Sequence, residues 1–483
     1  MSKKITGVVA LVGMCALSIF LLNCGSSSSR PSGLLYVLTQ GVNGGPNNIS
    51  SFSMNLNNGA LSLINFNATT CVTSGACGSP LDIVLDPTGA NAFVLNQGIP
   101  CIVQADGKCV PTNNAPIAPS IYSFTANSDG SLSAAGTPVN WTCVMPNGTA
   151  CTYYPDTATA MVMDAGGQFL FVIDQGVFPR LTTCPGVAGP VTNGPQASAY
   201  TGCPSISVFA IKGTTLTLVS QSLTYQSPLF LSKLPSALSV ITFTPPGGSL
   251  QELLFVTNNQ DICVAPGCIP PSPNNDNTLS VYAVSSTGQL SEQPNSPYSL
   301  AAPNPISVMA VNTNPPGQNA GGVFVFVGNQ GSQTGAVNPF QLCTVQNANC
   351  TQTEVQQNLV VPVTCAPANS CAVGAGTYPV GMVVDPTNNF LYVISELSST
   401  VYAFRINTQQ GTLAGLSPPN LQTGTQPVSI ALHPSVNNTG QFLYVSNSNS
   451  DNISGYSLVT TTGTMSSLQP TITPAAPSGI AAH

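Results

Sequence analysis

The chain has 483 residues with a net charge of -7, and only 5% of them are charged, where soluble proteins average about 25%. Its 42% apolar content supports a large buried core and excludes a disordered chain. Eight Lys and Arg in such a length offer no clustered cations for phosphate, which excludes nucleic acid as a partner.

In chain order, Lys3 and Lys4 come first, followed by an apolar run from Gly7 to Leu22. This is the charged head and apolar body of a secretory signal, too short for a full membrane span. Leu21-Leu22-Asn23-Cys24-Gly25 resembles a bacterial lipobox, whose Cys is lipidated and becomes the first residue of the mature chain. Asn23 stands where that pattern prefers a small residue. By the same resemblance Gly25, rather than Asp, implies outer-membrane sorting in a Gram-negative cell. The expected division is therefore a signal peptide over 1–23, the lipidated Cys24 with a Ser-rich tether over 24–32, and one folded domain over 33–483.

Sixteen Cys are present, and setting aside Cys15 and Cys24 leaves fourteen. They fall as close neighbours: Cys71 and Cys77, Cys101 and Cys109, Cys143 and Cys151, Cys184 and Cys203, Cys263 and Cys268, Cys343 and Cys350, Cys365 and Cys371. In an exported chain this proximity reads as local disulfides. CxxC pairs and His partners at zinc spacing do not occur, so no metal is expected.

A short apolar strand ending in Val recurs at Leu35-Tyr36-Val37, Ala92-Phe93-Val94, Leu170-Phe171-Val172, Leu254-Phe255-Val256, Val325-Phe326-Val327, Leu391-Tyr392-Val393 and Leu443-Tyr444-Val445. Each is followed by another strand, as at Ile49 to Phe52 or Val401 to Phe404. Most then reach a Gly turn, at Gly59, Gly130, Gly213, Gly288, Gly411 and Gly463, which closes a hairpin into a further strand. Upstream lies a fourth, as at Ile83 to Leu85 and Met382 to Val384. Four antiparallel strands in seven repeats specify an all-β fold, a seven-bladed β-propeller. The first repeat lacks its upstream strand, and Pro477 to His483 matches Pro427 to His433, so the C-terminal strand is expected to complete the first blade. A tandem of β-sandwiches is the alternative, and it leaves those permuted ends unexplained.

Asp385-Pro386 through Phe390-Leu391-Tyr392-Val393, and Phe442 through Val445-Ser446-Asn447, resemble the repeats of the seven-bladed propeller lactonase family, the YVTN-type family typified by 6-phosphogluconolactonase. The resemblance covers nearly all of 33–483. It implies the fold firmly and the reaction only weakly, because one fold hosts many functions. In such a propeller the loops from second to third strand, and from each outer strand to the next blade, share one face. Six Cys pairs map there and Cys343 and Cys350 map opposite, giving a stapled recognition face or merely tied-down loops. Those loops carry Trp141, Tyr153, Tyr154 and Phe178, candidates for a stacking platform, beside Tyr200.

Relatives often place Arg and His after the Pro that opens the innermost strand. Here the matching stretches are Pro80-Leu81-Asp82, Pro379-Val380-Gly381, Pro427-Val428-Ser429 and Pro477-Ser478-Gly479, so Asp82 alone brings charge to the channel mouth, and no catalytic residue carries over. His433 and His483 stand where Asp86, Asp164 and Asp385 stand in other blades, a turn-starting position on the far face. Asp156, Asp174, Asp261 and Asp276, with Arg180 as a candidate ligand contact, fall in or beside the stapled loops and are expected to be solvated. Asn447, Asn449 and Asp451 alternate like calcium ligands but lack the Gly and closing Glu of such loops. The expectation is a lipid-anchored, extracytoplasmic module in the outer membrane or at the cell surface. It needs no cofactor and binds a carbohydrate, small molecule or protein on its loop face. The alternative is a lactone hydrolase acting on a sugar or related lactone, which needs a base or activated water and an oxyanion partner.

Overall fold

The computed structural model describes residues 33–40, 47–69, 79–97, 102–103, 109–110, 119–140, 158–175, 204–221, 229–231, 233–261, 277–314, 322–330, 334–344, 347, 349–356, 359–365, 371–433, 441–474 and 476–483. Seven antiparallel sheets are arranged as blades. The innermost strands, from blade one to blade seven, are Pro477–Ala482, Pro80–Leu85, Ala158–Met163, Lys233–Phe243, Pro305–Asn312, Pro379–Val384 and Pro427–His433. The C-terminal strand pairs with Leu34–Thr39, matching Leu35 to Ala482 and Val37 to Ile480. The ring is thus closed by the expected exchange of ends.

The Val-ending repeats form the second strand of each blade. Phe169–Asp174, Val323–Asn329, Phe390–Ser395 and Gln441–Asn447 are buried along their whole length. A strand covered on both faces reads as an unbroken apolar run. Its alternate residues then serve two different interfaces. Tyr392 and Ile394 pack toward blade seven, whereas Leu391 and Val393 pack toward blade five. Each of the seven blade-to-blade interfaces holds its own apolar cluster, as between blades one and two, where Leu34, Tyr36 and Leu38 meet Ile83, Val94 and Phe124.

The Gly turns lock these interfaces. All six expected turn glycines have positive φ, between 61° and 88°, a region that glycine enters without steric cost. In five blades the turn also abuts the preceding blade's second strand. A Cβ on Gly59, Gly288, Gly411 or Gly463 would lie 2.2–2.6 Å from the ring of Phe442, Phe169, Phe324 or Phe390, and one on Gly130 would lie 2.5 Å from Leu34. Gly213 has open space around it. Three tyrosines two residues further along bond to the same turns. Tyr36 donates to the Gly130 carbonyl at 3.0 Å, Tyr392 to Gly463 at 2.8 Å and Tyr444 to Gly59 at 2.7 Å.

Blade five has no Gly turn. A bottom-face loop takes its place, carrying the Cys343–Cys350 disulfide and a short helix, Gln352–Gln356. The helix is capped reciprocally, Glu354 N–H donating to Thr351 Oγ1 at 3.3 Å and Thr351 N–H to Glu354 Oε2 at 2.6 Å.

The second observed disulfide, Cys365–Cys371, corrects the assignment of that pair to the loop between blades five and six. The outer strand of blade five is in two pieces, Val360–Pro362 and Val373–Gly374, both paired to Ala336–Leu342. The staple closes the excursion between them and sits on the outer rim. Cys71, Cys77, Cys143, Cys151, Cys184, Cys203, Cys263 and Cys268 lie outside the described residues, as do Cys101, Cys24 and the segment 1–32. Cys109 is seen only as backbone, in a two-stranded ribbon where Val103 pairs with Cys109.

Candidate functional site

The innermost strands define the channel, and most of them begin with Pro. Proline cannot donate to the sheet ladder, so it stands where pairing is interrupted. The register breaks immediately after Pro80, Pro305, Pro379 and Pro427, at the matching Ala158, and on both sides of Pro235. These breaks are β-bulges, which re-aim side chains at barrel rims. The residues passed over include Leu81, Thr159, Ser236, Ile306, Val380 and Val428, and together with Ser478 they line one cavity of about 320 Å³ bounded by all seven blades.

Polar groups on this rim are spent mostly on joining blades. Ser236 Oγ donates to the Pro305 carbonyl at 2.6 Å, Ser307 Oγ to Pro379 at 2.6 Å and Ser478 Oγ to Pro80 at 2.7 Å. In each case one blade's hydroxyl hands its proton to the next blade's strand opening. The Thr159 hydroxyl is buried with no hydrogen-bond partner in the protein.

Asp82 is the one ionisable side chain among the described residues lining the cavity. Its Oδ2 accepts from Met161 N–H of blade three at 3.0 Å, and its Oδ1 from Ile83 N–H at 2.9 Å. Burial pushes its carboxyl up to about 6, against the pull of those two backbone donors. A carboxylate with such a value is half ionised in mildly acid solution and could accept a proton or a ligand donor. Among the described residues lining the cavity no cation stands beside it to balance an oxyanion.

The far-face positions are turn starters, as the sequence indicates. Asp385 accepts from Asn389 and Phe390 N–H at 2.8 and 2.7 Å, and Asp164 from Gln168 and Phe169 N–H at 2.7 and 2.6 Å. His433 is fully buried at its equivalent position. The imidazole of His483 lies against the blade-two turn, within 2.6 Å of where a Gly89 Cβ would stand. Nearby on this face burial raises Glu252 to about 7, with the Asp164 charge adding to the effect.

Asp174 corrects the expectation of a solvated loop residue. It is 1% exposed and ends the second strand of blade three opposite Ser205. Asn96, Asn258, Asn329 and Asn447 occupy the same place in other blades. Their role there is structural: Asn258 donates to Thr278 and Ser280 hydroxyls at 3.2 and 3.0 Å, and Asn447 to Asn452 Oδ1 and Ser454 Oγ at 2.8 and 3.0 Å. The Asn447 amide nitrogen is thus committed to its own blade. Asp451 accepts from Ala476 N–H at 2.7 Å, bracing the entry of the closing strand. Trp141, Tyr153, Tyr154, Phe178, Arg180, Tyr200, Asp156 and Asp276 lie outside the described residues. Asp261 ends the blade-four second strand, paired with Lys233.

Residues 362–477 match the family "Lactonase, 7-bladed beta-propeller". The fold is a seven-bladed β-propeller, and this stretch of it carries the lactonase-family match. Among solved structures, the periplasmic gluconolactonase PpgL of Pseudomonas aeruginosa is similar over 92% of this chain and 98% of its own, at 16% identity and a TM-score of 0.52. A candidate 6-phosphogluconolactonase from Bacteroides fragilis covers 94% and 98%, at 13% identity and a TM-score of 0.55. A functionally unknown protein from Desulfotomaculum acetoxidans covers 93% and 99%, at 14% and 0.51. No curated protein sequence matches the chain. At these identities the lactonase-type propeller neighbours speak for the fold alone.

Proposed function

We propose that this lactonase-type propeller acts as an exported, lipid-anchored binding module whose ligand sits at the channel mouth on the loop face. The observation that carries this reading is the lining of that mouth. Lactone opening builds negative charge on an oxygen, which enzymes stabilise with placed donors, cations or a metal. Among the described residues the rim supplies one carboxylate, aliphatic side chains, the Thr159 and Ser429 hydroxyls, and three serine hydroxyls whose protons are donated to Pro305, Pro379 and Pro80, with no cation among them. Such a rim suits recognition better than stabilisation of an oxyanion. The Cys343–Cys350 and Cys365–Cys371 disulfides fit an oxidising compartment, and the lipobox-like Cys24 supplies the anchor.

Hydrolysis of a sugar lactone is the second reading. It rests on the family match and on Asp82, whose raised value suits a general base near neutral pH. The test is incubation of the purified mature chain with a panel of sugar and aromatic lactones. Ring opening at the spontaneous rate is expected. Turnover that Asp82→Asn abolishes would overturn the binding reading. A panel of glycans and small molecules on the same preparation then identifies the ligand class.

A further inference from the structure

We propose that the channel mouth takes a compact organic amine, its ammonium group seated on Asp82 and its carbon skeleton against the aliphatic rim. The inference rests on the reading of the mouth as a binding site and adds the chemical class of the ligand.

Charge gives the first argument. Asp82 lines the cavity without a Lys, Arg or His among the described lining residues. A phosphate or carboxylate entering there would meet a negative group with no compensating cation, in a partly dry site where repulsion is screened little. A cation entering there meets its partner.

Hydrogen-bond polarity gives a second, independent argument. The hydroxyl protons of Ser236, Ser307 and Ser478 point into neighbouring blades, toward the carbonyls of Pro305, Pro379 and Pro80. None of these three keeps a proton for the channel, and Ser236 Oγ also accepts from the Thr257 hydroxyl at 2.9 Å, which leaves it one lone pair; the unpartnered Thr159 hydroxyl keeps its proton. Asp82 receives one backbone donor on each oxygen and keeps further acceptor capacity on both. Asp82 is therefore the strongest acceptor on the rim, and the group that complements it carries several donors. An alkylammonium has three N–H donors and none of the lone pairs that would clash with this rim. A sugar lactone brings several acceptor oxygens, for which only Thr159 and Ser429 among the described rim hydroxyls keep a proton.

Shape gives the third. Leu81, Ile306, Met309, Val380 and Val428 supply apolar wall around the one carboxylate, and about 320 Å³ is the lower end of the range for small-molecule pockets. A compact hydrocarbon body completes the fit.

The test uses the full mature chain and three probes of one shape: cyclohexylammonium, cyclohexanol and cyclohexanecarboxylate, titrated calorimetrically at pH 7.5 and at pH 5. Cyclohexylammonium should bind at least tenfold more tightly than the carboxylate. Its affinity should fall at pH 5, where Asp82 is protonated while the amine stays charged. Asp82→Asn, which keeps an oxygen for Met161 N–H, should weaken the ammonium about thirtyfold, the scale of losing one partner of a buried charge pair. Ser236→Ala should weaken it a few fold through the lost acceptor. Equal binding of cyclohexylammonium and cyclohexanol would overturn the amine class while leaving the channel mouth as a binding site. Equal or tighter binding of the carboxylate, or an Asp82→Asn protein that binds the ammonium unchanged, would overturn the proposal outright. A ligand whose affinity ignores both rim substitutions would overturn the channel-mouth reading as well.

Discussion

Gly411→Ala is the sharpest probe of how the ring is held together, because the turn glycines combine two costs that a second turn separates. Gly411 has φ of +73°, and an alanine there takes on the left-handed penalty of about 1–2 kcal/mol. Its Cβ would also stand 2.3 Å from Phe324 Cδ1. That ring is fully buried in the blade five to six interface, so relief requires the interface to shift, at about 1–3 kcal/mol for overpacking. The expected loss is about 2–5 kcal/mol. Gly213 supplies the control: φ is +61°, with nothing among the described residues within 4 Å of where a Cβ would stand, so Gly213→Ala should cost only the backbone share of about 1–2 kcal/mol. Urea unfolding followed by far-UV circular dichroism measures both under one buffer. Equal shifts in the unfolding midpoint would refute the idea that these turns act as interface locks and reduce them to ordinary hairpin closures.

The tyrosine contacts should behave in parallel. Tyr444→Phe leaves the ring in place but strips the buried Gly59 carbonyl of its 2.7 Å donor, and should lower stability by about 1–3 kcal/mol by the same assay. For Glu252 the sign follows from its raised carboxyl. The folded state holds the proton more tightly than the unfolded chain, so ionising it costs stability progressively as pH rises from 4.5 to about 7. Glu252→Gln should therefore gain stability at pH 8 and little at pH 4, read as the difference in melting temperature from the parent; a gain confined to pH 4 would refute the assignment. Cys24→Ser should abolish metabolic labelling with a fatty acid and leave the chain unanchored in fractionated cells, whereas continued labelling would remove the lipid anchor from the proposed function.

The propeller was legible because its second strands are buried on both faces. Runs such as Phe390-Leu391-Tyr392-Val393 must then be apolar at every position, and the pattern survives whatever the loops do. The glycine turns were equally plain, since positive φ and the close approach of Phe324 or Phe390 leave no other residue a comfortable fit. The outer strands were announced by their Gly turns, as at Leu132–Ala134 and Leu290–Glu292, but their interruptions were not. These strands pair on one side only, and a bulge that splits them, as between Val360–Pro362 and Val373–Gly374, leaves no periodic mark, which is why Cys365 and Cys371 were placed a loop too late. Asp174 was misread for a related reason. Its burial comes from its register with Ser205 and from the asparagines that share its place in other blades, and neither shows in a stretch that merely precedes a long polar loop. At the channel, Asp82 could be found by its charge, but the direction in which Ser236, Ser307 and Ser478 send their protons depends on bulges three blades' worth of sequence could not reveal.

The closing strand also imposes an order on folding. Leu34–Thr39 is synthesised more than 400 residues before its inner neighbour, Pro477–Ala482. Until that partner emerges, one long side of the early strand is unpaired, and its row of amides is open to pairing with other chains. Six blades can assemble from contacts close in sequence, but the first must wait for a contact separated by nearly the entire chain, the kind of pairing that slows folding most. A chain cut before Pro477 therefore leaves its first blade without an inner strand.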